Sequence, residues 1–333
     1  MRRAAITTFA FFALIVARPF AQGVGPADET RITLRDEFLR IINHDRVANG
    51  LTPVALDPRS SAMADDYCRA QIRNGTTGHF GVDGLTPYMR YSFGGGNDGI
   101  SENAAAWSAS YRFSDRALYD MIQRSERAMI GERAPHDGHR RTILDPSATH
   151  VGIGLAWQRG EFRLTQEFIR HYVEWTHPLP RNANERDRVS ATARPLDGFK
   201  VEAVSVHHEP LPQPLTAAAA NAIDEYSLPD KRHDYLPRLR TYRQQRGDAV
   251  YEVREHYADG RRGDFTIADD GAFTFNVPFE DGPGVYTVVI WVRGRSGPPI
   301  AASNVSIRCS AGFQPASAAG WKPAPREALE SRQ

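Results

Sequence analysis

"INHDRVANGLTPVALDPRSSAMADDYC", residues 42–68, reads as the end of one helix, a short connection and the start of another. Working back from it, residues 33–50 place Leu34, Phe38, Ile41, Ile42 and Val47 on one helical stripe, which Asn49-Gly50 stops. Working forward, 58–73 fits a second helix with Ala62, Ala64, Tyr67, Ala70 and Ile72 facing inward. The segment 81–101 is rich in Gly, and "GGGND" within it is expected to be a loop. It lacks the spacing and preceding strand of a dinucleotide site. A third helix fits 114–131 through Leu118, Met121, Ile122 and Met129. "THVGIGLAWQRGEFRLTQEFIRHYVEW" then gives two strands joined at Gln158-Arg159-Gly160. Helices followed by paired strands predict an α/β arrangement of packed layers.

The flanks set the context. Arg2 and Arg3 precede the apolar run "AAITTFAFFALIVA" and the small residues of "RPFAQG", so residues 1–22 read as a secretory signal peptide. No later segment is apolar for long enough to cross a membrane. Removing Arg2, Arg3 and Arg18 from 41 Lys and Arg leaves 38 against 40 Asp and Glu. That near-neutral balance excludes a nucleic-acid partner that would need clustered basic charge. Two cysteines, Cys68 and Cys309, do not make a disulfide framework, and Cys68 reads as a small buried helix residue.

Residues 176–197, "THPLPRNANERDRVSATARPLD", read as a linker. Beyond it "FKVEAVSVHHE", "AVYEVREHYA", "AFTFNVPF", "GVYTVVIWVRG" and "IAASNVSIRC" predict a β-sandwich of immunoglobulin-like size over 198–309. The charged stretch 211–247 has no clear place in it, and 310–333 has the composition of a disordered tail.

His79, in "NGTTGHFGVDG", sits just past the second helix with no structural reason in the local pattern. Glu102 lies in "GISENAAA", read as a turn entering an Ala-rich stretch, where a carboxylate is a ligand, a cap or a plain surface charge. His136 and His139 form H-x-x-H, which on a helix puts both rings on one face, as a metal pair requires. The Glu of the H-E-x-x-H metalloprotease helix is missing. His150 precedes a strand. Ser101 and Ser125 lack a nucleophile-elbow context, and the adjacent His207 and His208 point to opposite faces of a strand.

The order of the surrounding motifs resembles the CAP superfamily (cysteine-rich secretory proteins, antigen 5 and pathogenesis-related group 1 proteins), nearest to its bacterial exported branch. Asn43, Arg46, Gly50, Leu51, Leu56, Asp57 and Ala64 carry the first motif. "GHF" with His79, "SENAAA" with Glu102 and Asn103, "GHRRTILDP" with His139, "HVGIG" and "TQEF" follow in order over about residues 33–172. The resemblance implies a CAP-type α-β-α sandwich over 33–175, whose cleft holds two histidines and acidic residues. In some members the histidines bind a divalent cation such as Zn²⁺. Carried over, the matches are His79, Glu102 and His139. For a second acidic position, Glu126 and Glu132 both stand as candidates, and His136 falls where the bacterial pattern commonly has Ser.

Two neutral imidazoles and a carboxylate suit Zn²⁺ with water in an open position, and metal-bound water becomes a nucleophile near neutral pH. Without metal the same residues make a hydrogen-bonded cluster that holds the cleft in shape. Two functions follow. One is a secreted or periplasmic binding module for a lipid, peptide or cell-envelope polymer. The other is a metal-dependent hydrolase with His79 and His139 as ligands, His136 as an auxiliary and Glu102 as general base or third ligand.

Overall fold

The structure, a computed structural model, describes residues 26–311. The signal-peptide reading of 1–22 and nearly all of the expected tail lie outside the described residues. The N-terminal half contains α1 (Pro26–Ala48), β1 (Ala55–Leu56), α2 (Pro58–Asn74), α3 (Pro87–Phe93), β2 (Gly99–Ser108), α4 (Asp115–Ile130), α5 (Gly138–Ile143), β3 (His150–Gln158) and β4 (Glu161–Arg170). Local chemistry explains the helix ends. Asp57 caps α2 by accepting the Ser60 N–H, Pro58 opens it, and Gly75 closes it at φ 70° with its N–H on the Gln71 carbonyl. Ser114 caps α4 in the same way. "GGGND" is a loop, and the same Gly-rich segment also holds α3, which Thr86 caps and Pro87 starts, ahead of it.

The strands form one sheet in the order β1-β3-β4-β2. β3 and β4 meet at Arg159-Gly160, both at positive φ (50° and 82°), the left-handed turn that matches strand twist. "GISENAAA" is not a turn. It belongs to β2, which pairs with β4 from Gly99↔Arg170 to Ser108↔Glu161, so tertiary pairing overrides the poor strand propensity of alanine.

Pairing parity separates the two faces. Val151, Ile153, Leu155, Phe162, Leu164 and Phe168 meet Leu34, Phe38 and Ile42 of α1, Leu118, Ile122 and Met129 of α4, and Ile143 of α5 in one apolar core. The opposite face carries α2 on Gly152 and Gly154. A Cβ on Gly154 would stand 2.4 Å from the Ala64 carbonyl carbon, so α2 reaches the sheet only because that side chain is missing. β1 is too short to cover the outer edge of β3. Ser61 Oγ and Asp65 Oδ1 accept the Ile153 and Leu155 N–H groups, while Arg35 and Arg31 donate to the carbonyls of Ile153 and Leu155. Arg46, fully buried, donates to the carbonyls of Thr52, Ile143, Asp145 and Ala148 and ties the 42–68 stretch to the end of α5.

The C-terminal half contains β5 (Val173–His177), β6 (Asn182–Asn184), β7 (Val189–Pro195), β8 (Lys200–Glu209), α6 (Ala217–Asn221), β9 (Lys231–Tyr235), β10 (Thr241–Arg246), β11 (Ala249–Arg254), β12 (Phe273–Val277), β13 (Gly284–Arg293), β14 (Ile300–Ala301) and β15 (Val305–Ser310). A β12-β7-β5 sheet and a β6-β15-β13-β8-β9 sheet enclose one apolar core, with β10 and β11 a separate exposed hairpin. The expected linker 176–197 is corrected here: it holds the end of β5, all of β6 and all of β7. β7 alternates buried Val189, Ala191, Ala193 and Pro195 with polar residues, a period-2 pattern obscured by its Arg, Thr and Pro content. The region 211–247, without a place in the sequence reading, contributes α6, β9 and β10.

The two halves touch along a mixed surface. Val285 of β13 joins Tyr88, Met89, Tyr91, Ile100 and Ile169 in a third, smaller core. Ala302 O accepts the Gly99 N–H, and Asn304 Oδ1 accepts the Ile100 N–H. Arg181 donates to Ser92 O and Gly96 O. Cys68 and Cys309 are both buried and free, Cys68 within α2 as expected. No described helix is long and apolar enough to cross a membrane.

Candidate functional site

His79 lies on the loop between α2 and α3, fixed from below by α2: Tyr67 Oη and Gln71 Nε2 both donate to Gly78 O. Its Nδ1 is 2.9 Å from Glu102 Oε1. Glu102 projects from β2 on the α2 side of the sheet, and its side chain is 0% exposed. Its other oxygen, Oε2, accepts from Arg90 of α3 at 2.5 Å. The Arg90 guanidinium also stacks on Tyr67 at 3.4 Å and donates to His79 O. Both Glu102 oxygens are therefore engaged.

The second histidine arrives from the other side of β2. His139 is in the first turn of α5, and its Nδ1 is 2.5 Å from Glu132 Oε1. Glu132 Oε2 accepts the His139 N–H, so one carboxylate both caps α5 and orients the ring. Asn103 Nδ2 donates to His139 O, tying α5 to the strand that carries Glu102. The two imidazole centroids are 6.5 Å apart, and their planes differ by 30°. Residues 79, 102 and 139, chosen from sequence, thus converge. Each ring has its Nδ1 on a carboxylate, which leaves Nε2 as the nitrogen unengaged among the described residues. The side chain of His79 is 12% exposed and that of His139 36%, so the pair opens to solvent on the His139 side.

His136 behaves differently from its sequence expectation. α5 begins at Gly138, so His136 precedes the helix in a tight turn, its N–H on Arg133 O, and the H-x-x-H spacing does not set two rings on one helical face. His136 is exposed. Of the two acidic candidates, Glu132 joins the site. Glu126 is buried under α4 and accepts from Gln166 Nε2, with burial pushing its pKa up to about 8. His150 stands on β3, two strands across from Glu102, edge-on to His171 at 5.9 Å. Ser125 accepts from the Trp107 indole, a packing role.

Three site residues escaped sequence reasoning. Arg90 sits on α3, a helix that the Gly-rich segment gave no pattern for. Glu167, inside "TQEF", pairs directly with Glu102 across the strands; strand parity carried that signal. Burial and then the neighbouring Glu102 charge push Glu167 up to about 8, against the opposing pull of Arg90. Tyr226 comes from the C-terminal half and had no signal. Its ring meets the His79 ring edge-on at 4.9 Å, and its hydroxyl oxygen accepts the Glu102 N–H at 2.6 Å. Burial raises its pKa, so it stays a neutral hydroxyl.

Among the described residues, no group of three or more His, Cys, Asp and Glu is set to hold a metal ion. The donor chemistry nonetheless suits a divalent cation at two points, because metal-binding imidazoles characteristically give their other ring nitrogen to a carboxylate.

A layered α/β domain with a paired His/Glu site defines the class, and the sequence comparison names it. Residues 39–168 match the family model described as "CAP: Cysteine-rich secretory protein family", and this segment of the chain belongs to that family. A solved structure of an extracellular protein containing an SCP domain from Bacillus anthracis str. Ames is similar at 19% identity and a TM-score of 0.33. The match covers 45% of this chain and 45% of that one, less than half of either length. No curated protein matches the chain.

Proposed function

We propose that the chain is an exported, secreted or periplasmic binding protein whose CAP cleft holds a lipid, peptide or cell-envelope polymer. The observation that carries this reading is the pair of imidazoles with Nδ1 tied back to Glu102 and Glu132. That arrangement fixes each ring and offers two Nε2 atoms as hydrogen-bonding groups to a ligand oxygen, with Tyr226 against the His79 ring. The immunoglobulin-like reading of the C-terminal half gives it an adhesive part in the same task.

The same donors support a second reading, a metal-dependent hydrolase. His79 and His139 would hold Zn²⁺ or a similar cation, which supplies Lewis acidity and an acidified water when bound. Two protein ligands fall short of the three typical of catalytic zinc, and Glu102, sealed behind His79, serves as an orienting group better than as a base.

The test uses the mature full chain and its His79→Ala/His139→Ala double mutant. Co-sedimentation with phosphatidylglycerol vesicles and with purified peptidoglycan reads the first function; metal analysis and zinc titration read the second. Binding to one envelope probe that weakens at least about tenfold in the double mutant is the expected result. Equal binding by both proteins would remove the cleft from the function. Stoichiometric zinc lost in the double mutant, with turnover of an ester or peptide, would favour the hydrolase.

A further inference from the structure

Residues 210–230, between β8 and β9, leave the C-terminal half and cross the CAP domain beside the His79 loop. They follow it contact by contact. Leu215 N–H donates to Val82 O. A Cβ on Gly84 would stand 2.3 Å from Gln213 O, so this close approach, at φ 70°, requires glycine. Asn221 Oδ1 accepts the Thr77 N–H, and Asn221 Nδ2 donates to Gly75 O. Further along, Tyr226 reaches His79 and Glu102, while Tyr226 and Leu228 pack on the Tyr88–Met89 cluster. The far end is pinned where His207 Nδ1 meets Pro229 O. The glycines and threonines of "NGTTGHFGVDG" thus let a short loop lie flat between α2 and this crossing segment.

From these contacts we infer that the CAP cleft is a composite site, with Tyr226 of the C-terminal half as a positioning residue for His79 and as one wall of the space a ligand enters. The ring blocks the imidazole from turning toward the C-terminal half. The hydroxyl satisfies a strand-edge N–H of β2 at Glu102, the residue that holds His79 Nδ1. This rests on the proposed cleft, but its test needs no ligand.

Diethyl pyrocarbonate acylates unprotonated imidazole nitrogen, and peptide mass spectrometry resolves the rate at each histidine. In the full chain near neutral pH, Tyr226→Ala is expected to speed His79 modification about fivefold or more, with exposed His44 unchanged as the reference. Tyr226→Phe keeps the ring and should restore a rate within about twofold of wild type. Asn221→Ala, at an exposed contact with Thr77, should give a smaller rise at His79 alone, and it carries the test if Tyr226→Ala fails to fold. An unchanged His79 rate in the folded Ala variants would overturn the inference, as would equal rises at His79, His139 and His44. A cleft that passes this test yet binds none of the envelope probes refutes only the proposed function.

Discussion

The two faces of the four-stranded sheet are built on opposite terms. One face buries Ile153, Leu155, Leu164 and Phe168 against three helices, so its stability is spread over many interchangeable contacts. The other brings α2 onto bare glycines and fills the remaining space with Glu102, Glu167 and Arg90. Each face carries a carboxylate raised to about 8, Glu126 on the apolar side and Glu167 on the polar side. The causes differ. Burial leads at both, but at Glu126 the Gln166 hydrogen bond opposes it and Asp45 adds only the smallest push, whereas at Glu167 the Glu102 charge ranks next after burial. The lesson is that the polar face can carry chemistry because backbone proximity, not side-chain volume, holds its helix.

That contrast is broken most severely at Gly154. A valine there would have to displace the α2 backbone, so Gly154→Val is expected to abolish cooperative unfolding in a thermal melt. Phe168→Ala, on the apolar face, should leave a folded protein weakened by about 3–5 kcal/mol in denaturant titration. If Gly154→Val proved the milder change, the idea of two packing modes would be wrong.

A pH series isolates the raised carboxylate of the apolar face. An acid whose folded pKa is raised from 4.5 to about 8 holds its proton in the folded chain after the unfolded chain has lost it. Its contribution is therefore fully present below about pH 4.5 and is lost as pH rises through about 8. Glu126→Gln should flatten this fall, matching wild type near the acid end and exceeding it at the alkaline end. The gain should be on the order of a few kcal/mol, at about 1.4 kcal/mol per pKa unit. Parallel stability curves for the two proteins would place the titration elsewhere.

Legibility followed the same division. The apolar face could be read from sequence, because Leu34, Phe38 and Ile42 repeat at helical spacing and Gly50 marks the stop. The site, which straddles β2 with His79 and Glu102 on the polar side and His139 arriving from the other, was legible only as short motifs in order. His79, Glu102 and His139 could be matched, but Glu132 over Glu126 could not, since only the turn at Gly131–Gly138 decides which carboxylate reaches His139. Tyr226 was beyond reach, because its role depends on a crossing more than a hundred residues along the chain. β7 was missed for a physical reason too: alanines and a proline make a strand when a neighbouring sheet buries them, and nothing local announces that neighbour.

The finest test acts within the polar face. Glu102→Gln removes one negative charge while leaving a side chain of the same shape between His79 and Arg90. The amide can still accept from Arg90 and can donate to His79, so the fold should survive. Glu167 loses the charge that helped raise it and keeps the guanidinium that lowers it, so its pKa should fall. Glu126, on the other side of the sheet, should stay where it is. Carboxyl carbon NMR across a pH series reads both residues in one sample. A Glu167 midpoint unmoved by the change would mean that burial alone sets it, and the two faces would then differ in packing but not in electrostatics.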